Sequence, residues 1–231
     1  MSQYVDASGG CFTGASLVYA SGPLDGTVAL IPVEQLVAGT LVLSHMGLTA
    51  VECVVKLRYK GPIYALHCLG LTAYHPVLLP GQKEGVFPSE CPDAHLVTDS
   101  FDGYVFDVVL MNRAIIASPS SCIDGCAIAL VYDAMLSDCC MYAATFGHTV
   151  SLPKFKHDYF GSEKVVVDLQ KHPSYGSGLI VLERYQFLRD DASRDFQVSG
   201  LRFPLLSENH RQATTGVSHP LSHLLSMEPV F

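Results

Sequence analysis

Between residues 16 and 79 the chain alternates short apolar runs with Gly- and Pro-marked breaks. The runs are 16–20 (SLVYA), 27–31 (TVALI), 40–44 (TLVLS), 49–59 (TAVECVVKLRY), 63–68 (IYALHC) and 75–79 (HPVLL). Their Val, Ile, Thr and Tyr content fits pleated, half-buried surfaces, so each predicts a strand. Gly22-Pro23, Gly39, Met46-Gly47, Gly61-Pro62 and Pro80-Gly81 supply the backbone angles of turns. Strands this short and closely spaced predict a mainly β domain, barrel-like or horseshoe-shaped.

Elsewhere the pattern is more varied. Residues 33–40 (VEQLVAGT) predict a short turn that packs Leu36 and Val37, and 82–103 a polar connection with one short element. Residues 104–110 (YVFDVVL) predict a strand. The cysteine-rich stretch 111–145 fits several strands or a helix. Residues 161–172 (GSEKVVVDLQKH) predict a short helix capped by Ser162, with Glu163 in its first turn and Val165, Val166 and Leu169 on one side. Residues 178–190 (GLIVLERYQFLRD) predict a closing strand. From about Pro204 the periodicity stops, and 201–231 is expected to be a mobile tail.

Composition narrows the class. Hydrophobic residues are 49% and charged residues 16% of 231, which implies a folded chain with a substantial core, better fitted to one domain than to two. The net charge of -8 and the lack of a basic run argue against a nucleic-acid partner. No apolar run reaches the ~18 to 20 residues of a bilayer span, so no membrane partner is expected. The start MSQYVDASGG lacks the regions of a signal peptide, and a cytoplasmic location is expected.

Eight cysteines stand at 11, 53, 68, 91, 122, 126, 139 and 140 without a CxxC pair, which argues against a disulfide framework or a structural zinc site. Cys122-x-x-x-Cys126, Cys139-Cys140 and His219-x-x-x-His223 invite a metal reading, but adjacent cysteines rarely share one tetrahedral site. Neither metal nor cofactor is expected. Most of the thiols should be small buried hydrophobes in a reducing compartment.

Cys11 stands apart, because Gly9 and Gly10 precede it. A glycine lead leaves the Gly10 carbonyl open to close approach and unusual backbone angles. A cysteine thiol reaches the preceding carbonyl carbon through a five-membered ring, exchanging the amide for a thioester once the amine leaves. That uphill exchange needs a deprotonated sulfur, a proton for the leaving nitrogen and a stabilised oxyanion. Thr72-Ala73-Tyr74-His75 ends a strand, and there both Thr72 and His75 can reach one peptide bond, the imidazole as proton donor.

These blocks together resemble the Hint superfamily of hedgehog autoprocessing domains, inteins and bacterial intein-like domains. CFTGASLVY looks like the family's Cys-Phe-x-Gly lead, VEQLVAGTLVLS is similar to its "L..GD.V" segment with Thr40 in place of the usual Asp, and LTAYHPV matches its Thr-x-x-His block. YVFDVVL resembles a later strand block, with Asp107 at a position that is acidic or otherwise active in many members. From 146–148 (FGH) to 178–190 the chain is similar to the Vint branch found beside von Willebrand type A modules. The resemblance implies a Hint-type horseshoe or disc of short strands with one or two short helices. It implies a short flank at 1–10, the domain at 11–200 and the tail beyond.

What the resemblance implies chemically is an N-to-S acyl shift at the Gly10-Cys11 bond, with Cys11, Thr72, His75, Asp107 and His148 as catalytic candidates. The partner is the chain's own upstream polypeptide. Inteins finish with His-Asn, whereas His148 is followed by Thr149, so cleavage without splicing is expected. Hedgehog domains use a sterol taken up by a further region. Residues 201–231 lack the apolar length of one, leaving water or a protein or small-molecule amine or thiol as second nucleophile.

Each candidate also has a plain reading: Cys11 as a core residue, His75 as a core histidine, Asp107 as a buried structural acid and His148 as a strand-end residue. For Asp107 the structural role stands level with that of orienting the thiol or activating an external nucleophile. Two other functions stay open, a catalytically decayed Hint-fold interaction module and a cysteine hydrolase acting in trans.

Overall fold

The computed structural model describes residues 10–21, 28–119, 140–151, 159–189 and 198–203. In chain order these hold strands β1 (Phe12–Thr13), β2 (Leu17–Ser21), β3 (Val28–Pro32), β4 (Leu41–Ser44), β5 (Gly47–Leu66), β6 (Leu69–Thr72), β7 (Val77–Leu78), β8 (His95–Leu110), β9 (Ile116–Pro119) and β10 (Cys140–Ala143). Helix α1 (Glu163–Gln170) follows, then β11 (Leu179–Leu182), β12 (Gln186–Arg189) and β13 (Val198–Arg202). The fold is mainly β, with one α-helix among the described residues.

Two long strands organise the molecule. β5 and β8 pair antiparallel from Val51↔Leu110 to Ala65↔His95, with register shifts between Val51 and Cys53 and around Gly61 to Tyr64. The turn expected at Gly61-Pro62 is thus one of these irregularities within a single strand, where the missing proline N–H costs the ladder little. Likewise 95–103, expected to be a connection, pairs with the far half of β5 and points largely exposed side chains outward. Backbone pairing there does not need an apolar side chain in every second position.

Hydrogen bonding runs in the order β6-β1-β8-β5-β4-β9-β10-β7, with β11 parallel to β5 on Val54–Leu57 and β2 and β3 attached through β4. The closing strand expected at 178–190 is two strands, and the second, β12, pairs with β13. Residues 33–35 form a 3-10 turn that buries Leu36, while Val37 is exposed.

Alternation along the strands divides the core in two. Phe12, Phe106, Val108 and Leu71 lie in one cluster; Cys11, Val105, Val109, Ile63 and Val55 lie in the other. Helix α1 closes the second. With 8 residues it is too short to be stable alone. Ser162 caps it by accepting the Lys164 N–H, and burying Val165, Val166 and Leu169 contributes about 1.5–3 kcal/mol each. Among the described residues no helix is long and apolar enough to cross a membrane.

Candidate active site

Strand β1 is only two residues long but lies between β6 and β8, and its position decides the site. Phe12 pairs with Leu71 on one side and Phe106 on the other. Carried back one residue, the same registers set Cys11 beside Thr72 and Asp107. Phe12, Leu71 and Phe106 share one core cluster, so Thr72, Cys11 and Asp107 fall on the opposite face, in a row across three strands. Cross-strand neighbours of this kind have Cβ atoms about 4.5–5.5 Å apart.

Hydrogen bonds tie the row together. The Cys11 N–H donates to Thr72 Oγ1 at 3.0 Å, and the Thr72 N–H donates to the Cys11 carbonyl at 3.0 Å. The chain then turns, the His75 N–H donating to the Thr72 carbonyl at 3.1 Å, and the His75 ring comes to rest against Phe12 with centroids 4.4 Å apart. His75 is completely buried. A Cβ built at Gly10 would lie 2.5 Å from His75 Cα and 2.7 Å from its Cγ. The Gly10-Cys11 peptide is therefore pressed onto His75, closer than any side chain at position 10 would allow.

Asp107 is 2% exposed, with its carboxylate accepting the Val108 N–H at 2.6 Å. Burial pushes its pKa well above the usual carboxylate range, against the opposing pull of the Val108 and Phe146 amides. Cys11 is 1% exposed, and burial first, then the charge of Asp107, push its thiol well above the usual range. A nucleophilic cysteine is expected to have a depressed pKa; here the resting sulfur keeps its proton. Passing that proton to the Asp107 carboxylate moves one negative charge from oxygen to sulfur without adding a second to the core.

His148 arrives from a segment far along the chain. Thr145 and His148 exchange backbone hydrogen bonds around a turn at Gly147, whose φ is +96°. The Gly147 N–H donates to the Phe160 carbonyl at 2.8 Å, and Phe146 N–H to the Val108 carbonyl at 3.1 Å, beside Asp107. A small, partly open cleft is lined by Gly10, Asp107, Phe146, His148, Thr149 and Gly161 among others. Burial first, then neighbouring His45, hold the His148 imidazole below the ordinary histidine range.

The five candidates from the sequence thus fall around one bond, Cys11, Thr72 and His75 as one set and Asp107 and His148 along the cleft. His45 was not among them. It occupies a β4–β5 turn whose sequence, Ser44-His45-Met46-Gly47, reads as any tight turn does. Among the described residues no group of three His, Cys, Asp or Glu could hold a metal ion. Cys122, Cys126, Cys139, His219 and His223 lie outside the described residues. Cys140 is buried in β10, and Cys68, expected to be a thiol, is in a disulfide.

A family model described as Vint, a Hint domain, matches residues 10–197. Among solved structures, the gp41-1 intein crystal structure is similar at 18% identity and a TM-score of 0.32, covering 46% of this chain and 94% of that one, a likeness too distant to build on. No curated protein matches.

Proposed function

This chain belongs to the Vint family of Hint domains, and from that premise we propose that it cleaves its own backbone between Gly10 and Cys11 through a thioester. Membership in a Hint family is consistent with autoprocessing in general; the bond and the chemistry are inferred from the site. The observation that carries the reading is the Gly10-Cys11 peptide, packed against His75 at one atom and hydrogen-bonded to Thr72 at the next.

In the first step Asp107 takes the Cys11 thiol proton as sulfur adds to the Gly10 carbonyl carbon. Thr72, already accepting the Cys11 N–H, holds the amide so that its nitrogen lone pair can leave conjugation. The C–N bond then breaks, and His75 supplies the proton that makes the Cys11 nitrogen an amine. The acyl group now sits on sulfur. In the second step a water or another small nucleophile entering by the cleft attacks the thioester carbon with His148 as the proton acceptor, releasing the upstream segment and restoring the thiol. Thr149 follows His148 where an intein has Asn, and this supports cleavage without splicing. Each molecule acts once, on itself. A reduced Cys11 suits a cytoplasmic setting, and the disulfide at Cys68 is the feature that speaks against one.

A folded reporter fused ahead of Gly10 tests the reading. Dithiothreitol is expected to speed release of the reporter, and Cys11→Ala to abolish release. Equal release from Cys11→Ala, or a wild-type fusion that stays intact with dithiothreitol, would overturn it.

A further inference from the structure

His45 plays no part in the steps above, yet it is fixed from two sides. Its backbone N–H donates to the Ile115 carbonyl at 3.3 Å, and its Nδ1 accepts the Ile115 N–H at 3.2 Å. A nitrogen that accepts carries no proton, so the ring proton sits on Nε2. The ring locked in this way is stacked on His148, with centroids 5.3 Å apart and planes only 6° from parallel.

His148 itself is anchored through its backbone, by the Thr145 exchange and the neighbouring Gly147 to Phe160 bond. Those bonds fix its Cα and leave the side-chain torsions to be settled by what the ring touches. A flat, immobile neighbour on one face restricts the imidazole to one plane, and a base misplaced by about 1 Å costs on the order of a hundredfold in rate.

We infer that His45 is a positioning residue for the second step, its Ile115-locked ring holding the His148 imidazole in the cleft as the base for water attack on the Gly10 thioester. The inference rests on the thioester reading. Water oxygen bonds to the Gly10 carbonyl carbon, the C–S bond breaks, and the water proton passes to His148 and then to the departing Cys11 sulfur. The products are a Gly10 carboxylate, a Cys11 thiol and one released proton. Among the described residues, the titratable and charged groups around His148 are the His45 imidazole on its face, Asp107 along the cleft, and Arg113 beside Gly147, itself paired with Glu52 and Glu163.

The reporter fusion separates the two steps, because dithiothreitol attacks the thioester without a protein base while spontaneous release depends on His148. His45→Ala is expected to slow spontaneous release about tenfold and to leave dithiothreitol-induced release unchanged; His45→Phe, which restores a ring face, is expected to recover part of the loss. His45→Asn, which keeps an acceptor for the Ile115 N–H but offers no ring face, is expected to slow spontaneous release as His45→Ala does. Spontaneous release unchanged in His45→Ala, both routes slowed alike, or wild-type release from His45→Asn would overturn the role of His45. A wild-type fusion with no thiol-dependent release would instead defeat the thioester reading, and the inference with it.

Discussion

At Gly10 the backbone lies so close to His75 that no side chain fits, and this contact is the most local support for the proposed chemistry. Gly10→Val must push the peptide off His75, since the added Cβ would begin 2.5 Å from His75 Cα. Reporter release followed by gel densitometry should fall on the order of a hundredfold, while the circular dichroism of the domain stays that of the wild type. Asp107 carries the other residue-scale prediction. Its native pKa lies above the unfolded value, so between the two the native state binds the extra proton and stability falls as pH rises through that window. Asp107→Asn removes this loss. Thermal melts across pH 4 to 8 should show the variant gaining on the wild type as pH increases, and a constant difference would contradict the buried acid. The Gly-Gly lead, Cys11 and Thr72-x-x-His75 were legible in the sequence as candidates because the proposed chemistry restricts which residue types can serve. His45 was not, since its proposed role comes from a ring stacked across 103 positions of chain, between His45 and His148.

Among the elements, the turn that carries His148 depends on a glycine. Gly147 has φ +96°, and an added Cβ would lie 2.9 Å from both Arg113 Cδ and Val166 Cγ2. Gly147→Ala is expected to cost about 1–3 kcal/mol in a urea titration and to slow spontaneous release more than dithiothreitol-induced release. Arg113 ties the same region together, donating to Glu52 at 2.6 Å and to Glu163 of α1 at 2.9 and 3.1 Å. Burial raises the Glu52 carboxyl, but hydrogen bonds from Arg113 and Tyr175 outweigh it and leave its pKa below the usual value. Helix α1 was readable in advance because cap, first-turn acid and apolar face agree on one span. The lengths of β5 and β8 were not. Gly61-Pro62 carries turn chemistry and 95–103 carries polar side chains, yet both are held in the ladder by pairing with each other's strand, a long-range term that local pattern does not contain.

For the whole molecule, segments distant in sequence meet on one strand: β1 lies against β8, and the His148 turn returns to the same strand through Phe146. This topology brings residues beyond 100 to the bond at which the reaction is proposed. It also sets the acid limit of stability. Glu52 and Asp168 have native pKa values below their usual ones, so the stability they contribute is present above the unfolded values and lost as pH falls through the native ones. His148 and His172 are also lowered, so stability declines as pH drops below about 6.5 toward their native values. A melting temperature that falls steadily on acidification from pH 7 toward 3, opposed among the described residues by Asp107, is the expected profile.

A thioester between Gly10 and Cys11 would be trapped by hydroxylamine, and intact-mass spectrometry of the fusion after that incubation reads the product. The released upstream fragment is expected to end at Gly10 as the hydroxamate, with the remaining chain starting at an unmodified Cys11. A fragment ending elsewhere, or the same hydroxamate from Cys11→Ser and Cys11→Ala alike, would contradict the account.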